Sequence, residues 1–144
     1  MGTARFRNLA HLDLFSGCDD RQLRGIDSLC TEVGVGSGRV LCTEGDIGRE
    51  FFVLTDGSVT VLRGGEPLAE LDTGDWFGEV ALTSSRRRRI ATVVSTAASR
   101  LLVFDLREFR AMVARCPLVE RRLNESSVVR TASYIASRHD VALL

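Results

Sequence analysis

Apolar and polar positions change their period twice along the chain. Up to about residue 31 the spacing is helical. After a turn at Ser16-Gly17 and a candidate N-cap at Asp19 or Asp20, Leu23, Ile26, Leu29 and Cys30 fall on one face. From Glu32 the pattern becomes extended. Two short segments on either side of the glycines at 36 and 38 lead into EFFVL, SVTVLR and EPLAEL. The pairs Asp56-Gly57 and Gly64-Gly65 between them tolerate the positive φ of tight hairpin turns. IATVVS and RLLVFDL follow, flanking Thr96-Ala97-Ala98. After Asp105 the helical period returns. Leu106, Phe109, Met112 and Val113 share a face, and Pro117 interrupts. A second helix runs from about Leu118 to Arg138, with Val128, Ala132 and Ile135 as an apolar stripe. Such closely recurring strands predict a mainly β chain with flanking helices, an antiparallel sandwich or barrel rather than a parallel α/β sheet.

One stretch breaks the extended pattern. In GDWFGEVALTSSRRRRIATVV, residues 74–94, a turn at Gly74-Asp75 and the apolar pair Trp76-Phe77 precede good helix formers from Gly78 to Leu82. The stretch predicts one helical turn set between strands. The first N–H groups of such a turn lack partners and, facing inward, call for an anion. An arginine a few residues on would complete a pocket of backbone dipoles capped by a guanidinium. Glu79 would repel a bare phosphate, but its carboxylate accepts from a hydroxyl. A ribose phosphate, with both groups, satisfies the pair.

Composition narrows the alternatives. The 144 residues suit one domain, and 19 basic side chains balance 19 acidic ones. Zero net charge argues against coating nucleic acid or anionic lipid through an overall field, and Arg86 to Arg88 read as solvated loop charge. No apolar run is long enough to span a bilayer, and the start lacks the core of a secretory signal, so a cytoplasmic location is expected. Cys18, Cys30, Cys42 and Cys116 form no CxxC pair and the two histidines are far apart, so no metal site or cofactor is expected. Without a recognisable nucleophile–base pair, catalysis is not expected either.

The stretch resembles the phosphate-binding cassette of cyclic nucleotide-binding domains, whose usual form is F-G-E-aliphatic-A-L, a short loop, then P-R-x-A-T. Here it reads Phe77-Gly78-Glu79-Val80-Ala81-Leu82, a loop, then Arg88-Arg89-Ile90-Ala91-Thr92. EGD at 44–46 and LTDGSVTV at 54–61 extend the resemblance over nearly the whole chain. It implies one domain over 1–144: N-terminal helices over 1–31, an antiparallel β jelly-roll (a double-stranded β-helix) over 32–105 with its cassette at 77–92, and two C-terminal helices over 106–144. It further implies that Gly78, Glu79, Val80 and Ala81 offer backbone N–H groups to a cyclic phosphate. Glu79 would accept from the ribose 2′-hydroxyl, and Arg89 would neutralise the phosphate. Ile90 offers no hydroxyl to the base, which favours adenine and hence cAMP as ligand. Tyr134 would stand near the position of a lid over the purine. The C-terminal helices would carry the signal to a fused or separate effector protein, with a homodimer through the last helix. No direct nucleic-acid binding and no membrane segment are implied. The loop before the Ala-Thr pair is one residue longer than usual, and Arg88 stands where the pattern has proline. A second reading therefore stays open, in which the fold serves as an interaction or dimerisation module without tight ligand binding.

Overall fold

The computed structural model describes residues 9–85 and 87–143, with side chains at all of these except 135 and 138–143. The reading of Arg86 as loop charge lies outside them. Eight strands form two four-stranded antiparallel sheets. The first pairs β1 (Thr31–Val35), β8 (Ser99–Asp105), β3 (Glu50–Asp56) and β6 (Trp76–Phe77) in that order. The second pairs β2 (Val40–Cys42), β7 (Thr92–Ser95), β4 (Ser58–Arg63) and β5 (Glu66–Asp72). A 3-10 turn, Asp13–Phe15, and helices α1 (Asp20–Asp27), α2 (Glu79–Thr83), α3 (Leu106–Arg115) and α4 (Pro117–Leu143) complete the described chain. The architecture is the expected β-sandwich with flanking helices.

The two central strands of the first sheet are buried on both faces, which is why FFVL after Glu50 and LLVF are unbroken apolar runs. Phe51, Val53, Leu102 and Phe104 point to the helices, where Phe15, Ile26, Phe109, Met112 and Val119 complete one core. Phe52, Leu54 and Leu101 point between the sheets against Val59, Val61, Phe77 and Val93 in a second. On β4 the alternation is clean, with Val59 and Val61 inward and Thr60 between them half-buried.

Asp19 and Asp105 cap α1 and α3 by reciprocal boxes. Each carboxylate accepts from a backbone N–H three residues on, at Gln22 and Glu108, and that residue's side chain accepts from the cap's own N–H. Two boundaries and one helix face differ from expectation. Helix α1 stops at Asp27, because Ser28 caps it and the Leu29 N–H turns back to the Ile26 carbonyl, so Leu29 and Cys30 lie beyond the helix. Strand β7 begins at Thr92 rather than Ile90, since the Arg89 backbone is paired with Gly45 and Asp46. On α4 the expected stripe is not the packed face. Val128 is 70% exposed and Ala132 is exposed, while Val119, Leu123, Ser126, Arg130 and Tyr134 turn toward the sandwich. The inward face turns polar because α4 crosses the polar end of the cassette there. The side chain of Ile135 lies outside the described residues.

Candidate functional site

Gly78 takes the left-handed backbone, φ 94°, that turns β6 into α2. A Cβ there would sit 2.9 Å from the Glu50 carbonyl oxygen and 3.0 Å from Arg89 Nη1, so both conformation and space demand glycine. Gly78→Ala should lower stability by about 1–3 kcal/mol in a thermal or urea melt, and shift Arg89 with it. Phe77 anchors the approach by stacking on Phe52, with ring centroids 4.8 Å apart. From the other side, Gly48 brings the β2–β3 loop so close that a Cβ would be 2.5 Å from that of Ala81.

Arg89 points inward. Only 8% exposed, it donates from Nη1 to the Gly78 carbonyl at 3.2 Å and from Nη2 to the Glu50 carbonyl at 2.8 Å. Two of five guanidinium N–H groups are used this way. Its neighbours behave otherwise: Arg87 and Arg88 are exposed, and the Arg88 side chain donates to the Gly45 carbonyl at 3.0 Å. The described part of the run, residues 87–89, thus divides between one inward cation and exposed loop charge.

Glu79, at 0% exposure, is engaged from α4. Arg130 Nη1 lies 2.8 Å from both carboxylate oxygens, and the Ser126 hydroxyl donates to Oε2 at 2.7 Å. The Trp76 indole N–H in turn donates to that hydroxyl at 3.2 Å, and Thr83 and Ser127 share a hydrogen bond at 2.8 Å. The end of the cassette is therefore tied to α4 by a polar cluster.

Gly78, Glu79, Val80, Ala81, Arg89, Ile90 and Tyr134, all singled out from the sequence, line one cavity, with Arg130 beside them. Cys42 and Val61 belong to its apolar wall. Burial pushes the Cys42 thiol up to about 11, against the pull of Arg89, so the wall is neutral and unreactive near pH 7. Burial likewise raises the Tyr134 phenol, opposed by Arg130, which keeps it a neutral ring with a donor. The cavity volume is about 40 Å³. That admits a few waters, whereas ligand pockets take about 300–1,000 Å³. Arg130 and Tyr134 of α4 stand at the edge of the cavity.

Sequence reading missed Ser126, Arg130 and Gly48. The first two stand about two turns and one turn before Tyr134 on the same helical face, so the four-residue step 126–130–134 was an available signal. Nothing in the local sequence marks Gly48. Among the described residues, no group of three or more His, Cys, Asp and Glu is placed to hold a metal. No described helix is long and apolar enough to cross a membrane.

The family model of the cyclic nucleotide-binding domain matches residues 32–116. The chain belongs to that family, whose members take a cyclic nucleotide as ligand rather than cofactor. It is 31% identical to the human cyclic nucleotide-gated channel beta-3 over 150 aligned residues, 96% of this chain and 18% of the channel. Among solved structures, the cAMP-bound PfPKA-R superposes with a TM-score of 0.80 at 18% identity, over 98% of this chain and 47% of that one. The regulatory subunit of a cAMP-independent protein kinase A from Trypanosoma brucei gives 0.83 at 19% identity, over 95% and 49%. The chain therefore spans under a fifth of the channel and about half of each solved chain.

Proposed function

We propose that this chain is one regulatory domain that binds cAMP at the cassette and reports occupancy through α3 and α4 to a fused or separate effector, without catalysis of its own. The observation that carries the reading is the inward guanidinium of Arg89, held against Gly78, the N-cap of the cassette helix. A cyclic phosphate there would meet a buried cation and the N–H groups from Gly78 to Ala81, charge-assisted contacts strengthened by exclusion of water. Glu79 Oε1 receives one hydrogen bond, from Arg130, and Oε2 receives two. The less used oxygen has room to accept from a ribose hydroxyl. Ile90 and Tyr134 border the space for the base, and Ile90 provides no hydroxyl to select guanine.

Coupling follows from volume. The cavity is too small for a nucleotide while Arg130 and Tyr134 occupy its edge, so ligand and this placement of α4 exclude each other. Binding then shifts α4 between two arrangements, with couplings typically about 1–3 kcal/mol. Exposed Val128 and Val129 give α4 an apolar patch suited to a second copy or an effector.

The same closure favours a second reading, an interaction module in which Arg130 has taken the ligand's place at Glu79 permanently. Titration calorimetry separates the two. The first reading expects saturable heat at one site per chain with cAMP, and weaker binding of cGMP. Absence of heat with either nucleotide at millimolar concentration would leave the second.

A further inference from the structure

Away from the cassette, two thiols from distant parts of the sequence touch. Cys18 follows the 3-10 turn, and Cys116 is the single residue between α3 and α4. Their sulfurs lie 2.6 Å apart, one thiol hydrogen-bonded to the other. Cys116 is fully buried and Cys18 partly exposed. The surroundings join the same two elements: Arg122 of α4 donates to the Leu14 carbonyl at 3.0 Å and the Ser16 carbonyl at 2.6 Å. Neither sulfur belongs to the nucleotide cavity, and nothing in cyclic nucleotide binding uses them.

From this contact we infer that Cys18 and Cys116 are a modification site: they form a reversible disulfide that pins the α3–α4 corner to the 3-10 turn. The oxidant is a peroxide, and the electrons balance in two steps. Cys18, the reachable partner, attacks hydrogen peroxide, giving a sulfenic acid and one water. The Cys116 sulfur then displaces the hydroxyl from that sulfenic sulfur, which forms the S–S bond and releases a second water. Overall two thiols lose two electrons and two protons, and one peroxide becomes two waters. A dithiol reductant reverses the change by exchange. The side chains already face each other, so no rearrangement of the backbone is called for before reaction.

Rate and consequence both follow from position. Burial, then the hydrogen bond with Cys116, push the Cys18 thiol up to about 12, with Arg122 pulling the other way. The nucleophilic thiolate is scarce at neutral pH, so oxidation is slow there and quickens as the pH rises. The bond closes a loop of nearly a hundred residues and so restricts the unfolded chain strongly. It also fixes the corner from which α4 departs. On the nucleotide reading above, that holds α4 in its closed placement and weakens cAMP binding.

The test is thiol counting and peptide mapping of the whole protein after hydrogen peroxide at pH 7 and pH 9. The expected result is loss of two of the four thiols, a mass lower by about 2 Da and one cross-linked peptide pair joining 18 to 116. Oxidation should be faster at pH 9, raise the melting temperature, and be fully undone by dithiothreitol. Cys18→Ser should keep its three remaining thiols. A different pairing, a mixture, or further oxidation to sulfinic acid without cross-linking overturns the inference. None of these readouts depends on nucleotide binding. Should the pair form while cAMP affinity stays the same in oxidised and reduced protein, the hold on α4 is wrong.

Discussion

Arg89→Ala is expected to weaken cAMP binding by roughly ten- to a hundredfold or more, measured by titration calorimetry. A hydrogen bond to a charged group is worth about 1.5–3 kcal/mol, and each 1.4 kcal/mol is a factor of ten in affinity. The side chain also holds the Gly78 and Glu50 carbonyls together, so the variant should melt earlier as well. Arg89→Lys keeps the charge but loses the planar fork that serves two carbonyls at once, and should fall in between. Arg88→Ala is the control. It is exposed, its side chain donates to the Gly45 carbonyl rather than into the cavity, and its removal should change affinity by less than about twofold. Equal losses at 88 and 89 would mean that the arginines act as a diffuse field and that no pocket holds the phosphate.

The second large effect is expected at Arg130. Arg130→Met removes the cation from a carboxylate that has no contact with water, leaving it the Ser126 hydroxyl alone among the partners on α4. Removing one member of a buried ion pair costs on the order of 3 kcal/mol, because the other charge stays buried. For a chain of this length that lowers the melting temperature by roughly 6–12 °C. Glu79→Gln should cost less, since the Arg130 side chain is 22% exposed and water reaches the cation left behind. The double variant should recover part of the loss, the mark of a direct pair. Because Arg130 also ties α4 over the cavity, its removal should raise cAMP affinity by about fivefold or more. A fall instead would mean that Arg130 belongs to the liganded arrangement.

What could be read from the residues differs between the sandwich and its helices. Turn pairs such as Gly64-Gly65 and unbroken runs such as FFVL report local geometry and two-sided burial, so strands and hairpins were legible without a partner in view. The cassette was legible for the same reason, since Gly78, Glu79 and Arg89 lie within a dozen residues of one another. The packing of α4 was not. Its apolar residues Val128 and Ala132 suggested a packed stripe, yet they face outward, because the neighbouring surface presents Glu79 and the polar face of the helix answers it. Charge complementarity across fifty residues leaves only the four-residue step 126–130–134 as a trace, and that step has no meaning until Glu79 is placed opposite it. The contact of Cys18 with Cys116 leaves none, because its ninety-eight-residue separation carries no spacing signal.

The claim on which the mechanism rests is that nucleotide and α4 compete around one buried site. A crystal structure with cAMP tests it most directly. The account predicts the cyclic phosphate within about 3 Å of the Arg89 guanidinium and of backbone N–H groups between 78 and 81, with Tyr134 and Arg130 moved from their present places. Nucleotide bound elsewhere, or bound at the cassette with α4 unmoved, would contradict it.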